Sequence, residues 1–320
     1  MSQQKEEEEK EEKEKDEKER EEEEAEKFNK YQKSGEIHKE VRKQIESTVK
    51  VGMPVIELCE KTEALIIEKG GKPAFPTNVS INHVAAHYTS PHNDELTIGE
   101  KDVVKVDFGV HIEGYIADGA FTVSFDSEYE SLVEAAEKSL EKALDAFKPG
   151  VKTNEIGKII EKTIKGYGYR PIKDLSGHTV DQYMVHGGKV VPNITVPHGH
   201  KIEEGEVYGV ETFASTGKGA AHETNYCYIY SLLPIRIPVR FEGSRKVIKI
   251  ARDEYKTLPF AERWLTKRIP PLSLKMGFKE LTSKGLLQKY YVLSDIKGSK
   301  VAQSEHTVVV VENGIDIITK

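Results

Sequence analysis

Asp107 and Asp118 lie in VVKVDFGV-HIEG-YIADGAFTV, the run from Val103 to Val123. Apolar residues on both sides of a Gly-containing centre predict a β-hairpin. With the turn centred on His111–Gly114, Val110 pairs with Tyr115, Gly109 with Ile116, Phe108 with Ala117 and Asp107 with Asp118. Directly opposed residues on one sheet face have Cβ atoms roughly 4.5–5.5 Å apart. Two carboxylates placed there repel unless a cation neutralises them. Other residues could join them around such a cation: His178 in LSGHTV, Glu211 in GEVYGVETFAS and Glu305 in AQSEHTVVVV. Glu211 is in phase with Val207 and Gly209 on one strand face. Taken singly, an acid at a strand end is commonly solvated and a lone histidine commonly structural. The combination carries more weight, because Asp107 follows VVKV and Glu211 follows VYGV. Charges inside apolar strands need partners or a metal. Two Asp, two Glu and one His suit a pair of divalent ions such as Mn, Fe, Co or Zn. Two ions about 3.5–4 Å apart can share a hydroxide, lower its pKa and polarise a carbonyl. His87 in VAAHYTS and His186 in YMVHGGKVVPN are candidates to donate to an oxyanion or shuttle a proton.

The elements that must position these residues read as a mixed α/β chain. Ile37, Val41, Ile45 and Val49 recur every four residues and predict a helix, which Gly52-Met53-Pro54 breaks. VIELCEKTEALIIEKG predicts a second helix stopping at Gly70-Gly71. Glu128 to Phe147 and Thr153 to Tyr167 predict two more, the latter N-capped by Thr153 or Asn154. Two helices followed by a metal-capable strand region thus occur twice, which suggests an internal pseudo-repeat. From about Ser231 to Leu293 the pattern changes to a compact helical insertion. Asn313-Gly314 in the closing VENGIDI reads as a type I′ hairpin turn.

Composition narrows the class. Lys5 to Glu24 is an unbroken run of twenty charged residues, fourteen acidic and six basic, net −8. The whole chain carries −7, so the remainder sums to about +1. The run is too polar to build a core, and reads as a charged tail, disordered or helical, that could dock on a basic partner. Two cysteines, Cys59 and Cys227, exclude a disulfide framework and fit a reducing compartment. No apolar run of membrane-spanning length and no signal peptide is present, so a cytoplasmic protein is expected.

Five segments in this order closely resemble the type 2 methionine aminopeptidases: AFPTNVSINHVAAHYTS, VDFGVHIEGYIADGAFTV, LSGHTVDQYMVHGGKVVPN, VETFASTGKGAAHE and DIKGSKVAQSEHT. The similarity covers about Ser34 to Lys320, and the insertion between Glu211 and Glu305 marks type 2. DIKGS and the charged extension resemble eukaryotic members, whereas TLPFAERWL and the compact length resemble archaeal ones.

The resemblance implies a pita-bread α/β fold with a pseudo-two-fold repeat. It divides the chain into a charged tail over 1–30 and a catalytic domain over 31–320, with the insertion subdomain at 231–293. It implies removal of the initiator methionine from nascent chains with a small second residue, by a hydroxide bridging two divalent ions (Co, Mn, Fe or Zn). Asp107, Asp118, His178, Glu211 and Glu305 become the ligands, with Asp107 chelating and Asp118 and Glu305 bridging. Glu211 also takes a proton, His87 is an active-site histidine, and His186 stabilises the developing charge. Phe75, Val185 and Tyr290 wall the methionine pocket, where an unbranched thioether fits an aromatic-edged slot. Ser304 replaces a bulky aromatic and Ile229 a pocket histidine, both expected to alter pocket shape. Implied partners are the nascent amino terminus and, through the tail, a ribosome or initiation factor, with neither membrane nor nucleic acid, for a monomer. The rival readings are an X-Pro aminopeptidase or prolidase of the same fold, and a non-catalytic pita-bread relative that binds RNA or ribosomes.

Overall fold

The computed structural model describes residues 2–320. The chain opens with α1 (Ser2–Glu46) and α2 (Val55–Glu68), then short strands β1 (Lys72–Pro73), β2 (Asn78–Ile81) and β3 (Val84–Ala86). The hairpin β4 (Val103–Ile112) and β5 (Tyr115–Ser124) follows. A second helix pair, α3 (Glu130–Ala146) and α4 (Thr153–Gly166), leads to β6 (Arg170–Pro171), β7 (Ser176–Thr179), β8 (Val190–Pro192) and β9 (Val207–Ser215). The last part holds β10 (His222–Leu232), α5 (Glu242–Ile250), β11 (Phe260–Ala261), α6 (Pro271–Ser283), β12 (Leu287–Ser294), β13 (Val301–Val311) and β14 (Gly314–Ile317).

One ten-stranded sheet has the path β1-β4-β5-β13-β9-β7-β8, with β2 on β4, β6 on β9 and β14 on β13. Two helix pairs back it in mirrored fashion. Val41 and Ile45 of α1 and Leu58 and Ile66 of α2 pack with Val104, Val106 and Phe108 of β4. Leu140 of α3 and Ile156 and Ile160 of α4 pack with Tyr208, Val210 and Val308. Both cores bury apolar stripes at helical spacing on one sheet face, so the opposite face is left for β13 and its neighbours to present polar side chains. A second sheet, β11-β10-β12-β3, carries α5 and α6 on a separate core that includes Val247, Phe260, Leu274 and Phe278. Its strand β10 begins at His222 and β12 ends at Ser294, so strands flank the helical part on both sides.

Four local expectations need correction or extension. The first concerns the aspartate hairpin. Its two-residue loop is Glu113–Gly114, with φ of 50° and 93°, because both central positions of a type I′ turn need the left-handed region. Asp107 therefore faces Ala120, and Asp118 faces Gly109. The aspartates are diagonal neighbours rather than opposed. They still share a sheet face, because the register moves by two residues and side chains alternate with period two. The second concerns the closing hairpin. Val311 pairs with Gly314, so the loop is Glu312–Asn313, and neither these residues nor Gly314 has a positive φ; Asn313-Gly314 is not a type I′ turn. The third is the start of α4. Lys152 is the N-cap, its backbone N–H held by Glu155 Oε1 at 3.2 Å, and the Thr153 hydroxyl instead accepts from His200 N. The fourth is α1. It runs unbroken through residue 30, roughly 65 Å in all at 1.5 Å per residue. Its inner part is anchored by Tyr31, Val41 and Ile45, each at most 1% exposed. The reading of Lys5–Glu24 as a docking tail falls largely on side chains outside the described residues.

Candidate metal centre

Five strands of the large sheet converge on one cavity of about 260 Å³. Asp107 comes from β4, Asp118 from β5, His178 from β7, Glu211 from β9 and Glu305 from β13. Register explains the convergence. Glu305 lies opposite Glu211 on one side and Ala120 on the other, while His178 lies opposite Gly209. A Cβ at Gly209 would stand 2.9 Å from Glu305 Oε1 and 3.4 Å from a His178 ring carbon. The missing side chain therefore lets carboxylate and imidazole approach across β9.

Ligand atoms of Asp118, His178 and Glu305 lie within 4.8 Å of one another, and all three residues are buried. One oxygen on each of Asp107, Asp118 and Glu305, and Nδ1 of His178, is buried without a hydrogen-bond partner. Burial and mutual repulsion act together on the acids. Burial pushes Asp107 up to about 7, against the Gln303 amide that favours its ionised form. Asp118, Glu211 and Glu305 are driven well above the usual carboxylate range, first by burial and then by one another and Asp107. Burial holds the imidazoles neutral, with His178 pushed down to about 3 and His87 to about 4, both helped by His186, which burial also lowers. The lining thus holds the four converging carboxylates and the exposed Asp174 beside three neutral imidazoles, with no side-chain cation among them. Buried charge of one sign needs a counter-ion, and orphaned oxygens beside an imidazole nitrogen are the donor set that divalent transition ions accept.

The remaining residues named from sequence line the same cavity: His87, His186, Phe75, Val185 and Tyr290. The His178 and His186 rings are 4.5 Å apart, and His186 stacks on Tyr290 at 6.2 Å. His87 meets Tyr290 edge-on at 6.0 Å and anchors Nδ1 on the Tyr291 carbonyl at 3.1 Å. Its φ of +65° is a strained conformation for a residue with a side chain, of the kind that collects at working sites. Ile229 also lines the cavity, with Pro259 and Leu293. Ser304 does not. It pairs with Thr212, whose hydroxyl reaches α3 through the Ala136 carbonyl, so Ser304 faces the helices and cannot shape the pocket directly.

Sequence reasoning missed Gln303. Its amide nitrogen donates to Asp107 Oδ2 at 3.3 Å and to Glu211 Oε2 at 3.2 Å, tying β13 to two acids. The two-residue spacing in Gln303-Ser304-Glu305 was the available signal, since it places Gln303 on the face of Glu305. Thr307 was missed too; its hydroxyl clamps the Asp118 backbone, accepting from N and donating to O, both at 2.7 Å.

Comparisons with known proteins bear on the same elements. The model of metallopeptidase family M24 matches residues 29–312. A methionine aminopeptidase of Thermococcus onnurineus is 44% identical over 288 residues, which cover 90% of this chain and 97% of that protein. Among solved structures, a thermophilic Arx1 superposes with a TM-score of 0.80 at 20% identity, covering 92% of this chain and 90% of that one. A methionine aminopeptidase from Thermotoga maritima superposes with a TM-score of 0.67 at 20% identity, covering 92% and 96%.

Proposed function

This chain belongs to metallopeptidase family M24, and from that premise we propose that it is a methionine aminopeptidase of type 2, which removes the initiator methionine from nascent chains with a small second residue. Its fold is the mixed α/β pita-bread arrangement of that family. The observation that carries the reading is the wall of four carboxylates beside His178, Asp118 and Glu305 buried and Asp107 and Glu211 half-buried, with no side-chain cation among them, facing an apolar-sided cavity.

Asp107, Asp118, His178, Glu211 and Glu305 would hold two divalent ions, Co, Mn, Fe or Zn; such ions supply Lewis acidity and lower the pKa of water when bound. The chain's own residues do the rest. Phe75, Val185, Ile229 and Tyr290 enclose an unbranched apolar side chain. The negative wall draws in a free α-ammonium. Glu211, steadied by the Gln303 amide at 3.2 Å, receives a proton as water adds to the carbonyl. His186, held neutral by burial, donates N–H to the oxygen on which charge develops, whereas His87, whose one N–H is given to the Tyr291 carbonyl, presents Nε2 to the cavity as an acceptor.

The proposal extends to organisation and setting: an amino-terminal arm over 1–30, a catalytic domain over 31–320 with an insertion subdomain at 231–293, and a cytoplasmic monomer. The arm would meet a ribosome or initiation factor. No helix among the described residues is long and apolar enough to cross a membrane. A peptide comparison tests the substrate class. The metal-loaded protein should release free methionine from Met-Gly and Met-Ala-Ser and leave X-Pro peptides intact. Preference for X-Pro would move the chain to the prolidase-like branch.

A further inference from the structure

A second cavity, about 670 Å³, opens at the seam between α2 and the insertion. That is within the usual size range of small-ligand sites. Ile67 forms an apolar rim and Leu258 a buried floor. Tyr255 and Trp264, with ring centroids 5.3 Å apart, make an aromatic wall.

The lining carries three acids (Glu60, Glu63, Glu254) and three bases (Lys72, Arg263, Lys267), and the balance turns positive because Arg268, which is not part of the lining, pairs with Glu254. Glu63 is neutralised by the Arg263 guanidinium and also accepts from Trp264 Nε1 at 2.8 Å. Glu254 is paired with Arg268 at 2.7 Å. Lys72 and Lys267 line the cavity with no carboxylate partner among the described residues, against the single unpaired Glu60. Burial keeps His111 neutral. An apolar, aromatic-walled hollow with a net positive rim favours a flat molecule carrying negative charge.

The cavity also adjoins the metal centre. Leu258 lines the seam, and the next residue, Pro259, lines the metal cavity. The segment leading to them is distorted: a π-turn over Ala251–Tyr255 ends at Lys256 with φ of +56°. Such irregular helical turns and left-handed non-glycine residues persist where function holds them.

We infer that this seam is a second ligand site, taking a small planar aromatic anion, and that its occupancy moves the Pro259 wall of the metal cavity. The inference stands apart from the choice of peptide substrate. Trp264 is the chain's one tryptophan, so its emission reports from inside the seam. The probe is 8-anilinonaphthalene-1-sulfonate, titrated into the full-length, metal-loaded protein. Saturable quenching of Trp264 by energy transfer is expected, at least tenfold weaker in the double variant Lys72→Glu, Lys267→Glu. Both side chains are exposed, and an unchanged melting temperature verifies the fold. N-phenyl-1-naphthylamine, which lacks the sulfonate, should not distinguish the two proteins. Saturating probe should shift KM for a Met-peptide about threefold or more in the wild type only. Absent quenching, or quenching indifferent to the charge reversal, overturns the site. Lysine-dependent quenching with unchanged KM overturns its link to the metal cavity.

Discussion

Of the places where this molecule buries acidic side chains, two treat them oppositely. At the seam, Glu63 is 7% exposed and fully answered: Arg263 grips both oxygens, Trp264 Nε1 donates at 2.8 Å and Thr77 N at 3.1 Å. In the large cavity, Asp118 and Glu305 are 3% and 2% exposed, with an oxygen on each unanswered and further carboxylates as neighbours. The first arrangement is an ion pair that fastens the insertion to the body. The second is complete only with cations from outside. Burial of an acid therefore says little about function by itself; a buried acid without a partner says much more.

The sharpest way to break the contrast is to remove one acid from each region. Glu305→Ala should fold normally and lose on the order of a thousandfold in kcat/KM on Met-Ala-Ser, since no neighbouring side chain can replace the oxygens it would offer to the metal ions. Retained turnover would dissolve the distinction. Arg263→Ala should act on stability instead, costing about 3–5 kcal/mol in chemical denaturation by leaving Glu63 buried and unpaired. Replacing Glu63 and Arg263 together by Met should restore most of that loss.

A pH series separates the regions further. Asp107 is raised from its ordinary 3.8 to about 7, so between those values the folded chain keeps a proton that the unfolded chain has released. Its contribution to metal-free stability then falls as pH rises through that window. Metal-free Asp107→Asn should match the metal-free wild type near pH 4 and exceed it by up to a few kcal/mol above pH 7, at about 1.4 kcal/mol for each tenfold change in proton affinity. Added Mn should reverse the order. The smallest expected effect is Gln303→Ala, which removes a bridge between Asp107 and Glu211. Metal affinity measured by calorimetry should weaken about 10–100-fold, as for other residues that orient ligands.

The sequence made the face of the acid pair legible but not its register. Asp107 and Asp118 were expected to be opposed and are diagonal, because the left-handed pair is Glu113–Gly114. Period-two alternation protected the conclusion: an even shift keeps both acids on one face, and an odd one would have separated them. Turn chemistry misled in both hairpins, since an Asn-Gly pair is not a type I′ turn and a Glu-Gly pair takes that role. Helices with strong apolar periodicity, such as α3 and α4, were readable to within two residues. What local pattern cannot reveal is long-range pairing. Glu305 meets Glu211 and Ala120 only because β13 inserts between β5 and β9. The Gln303 bridge and the strained His87 backbone arise from the same tertiary assembly.

Metal stoichiometry tests the central claim most directly. Protein stripped with a chelator, dialysed and titrated with Mn should bind two ions per chain, with Met-Ala-Ser hydrolysis rising in step, while Glu305→Ala binds fewer and stays inactive. Hydrolysis of the Met-peptide by the stripped protein, or two ions bound equally well without Glu305, would contradict it.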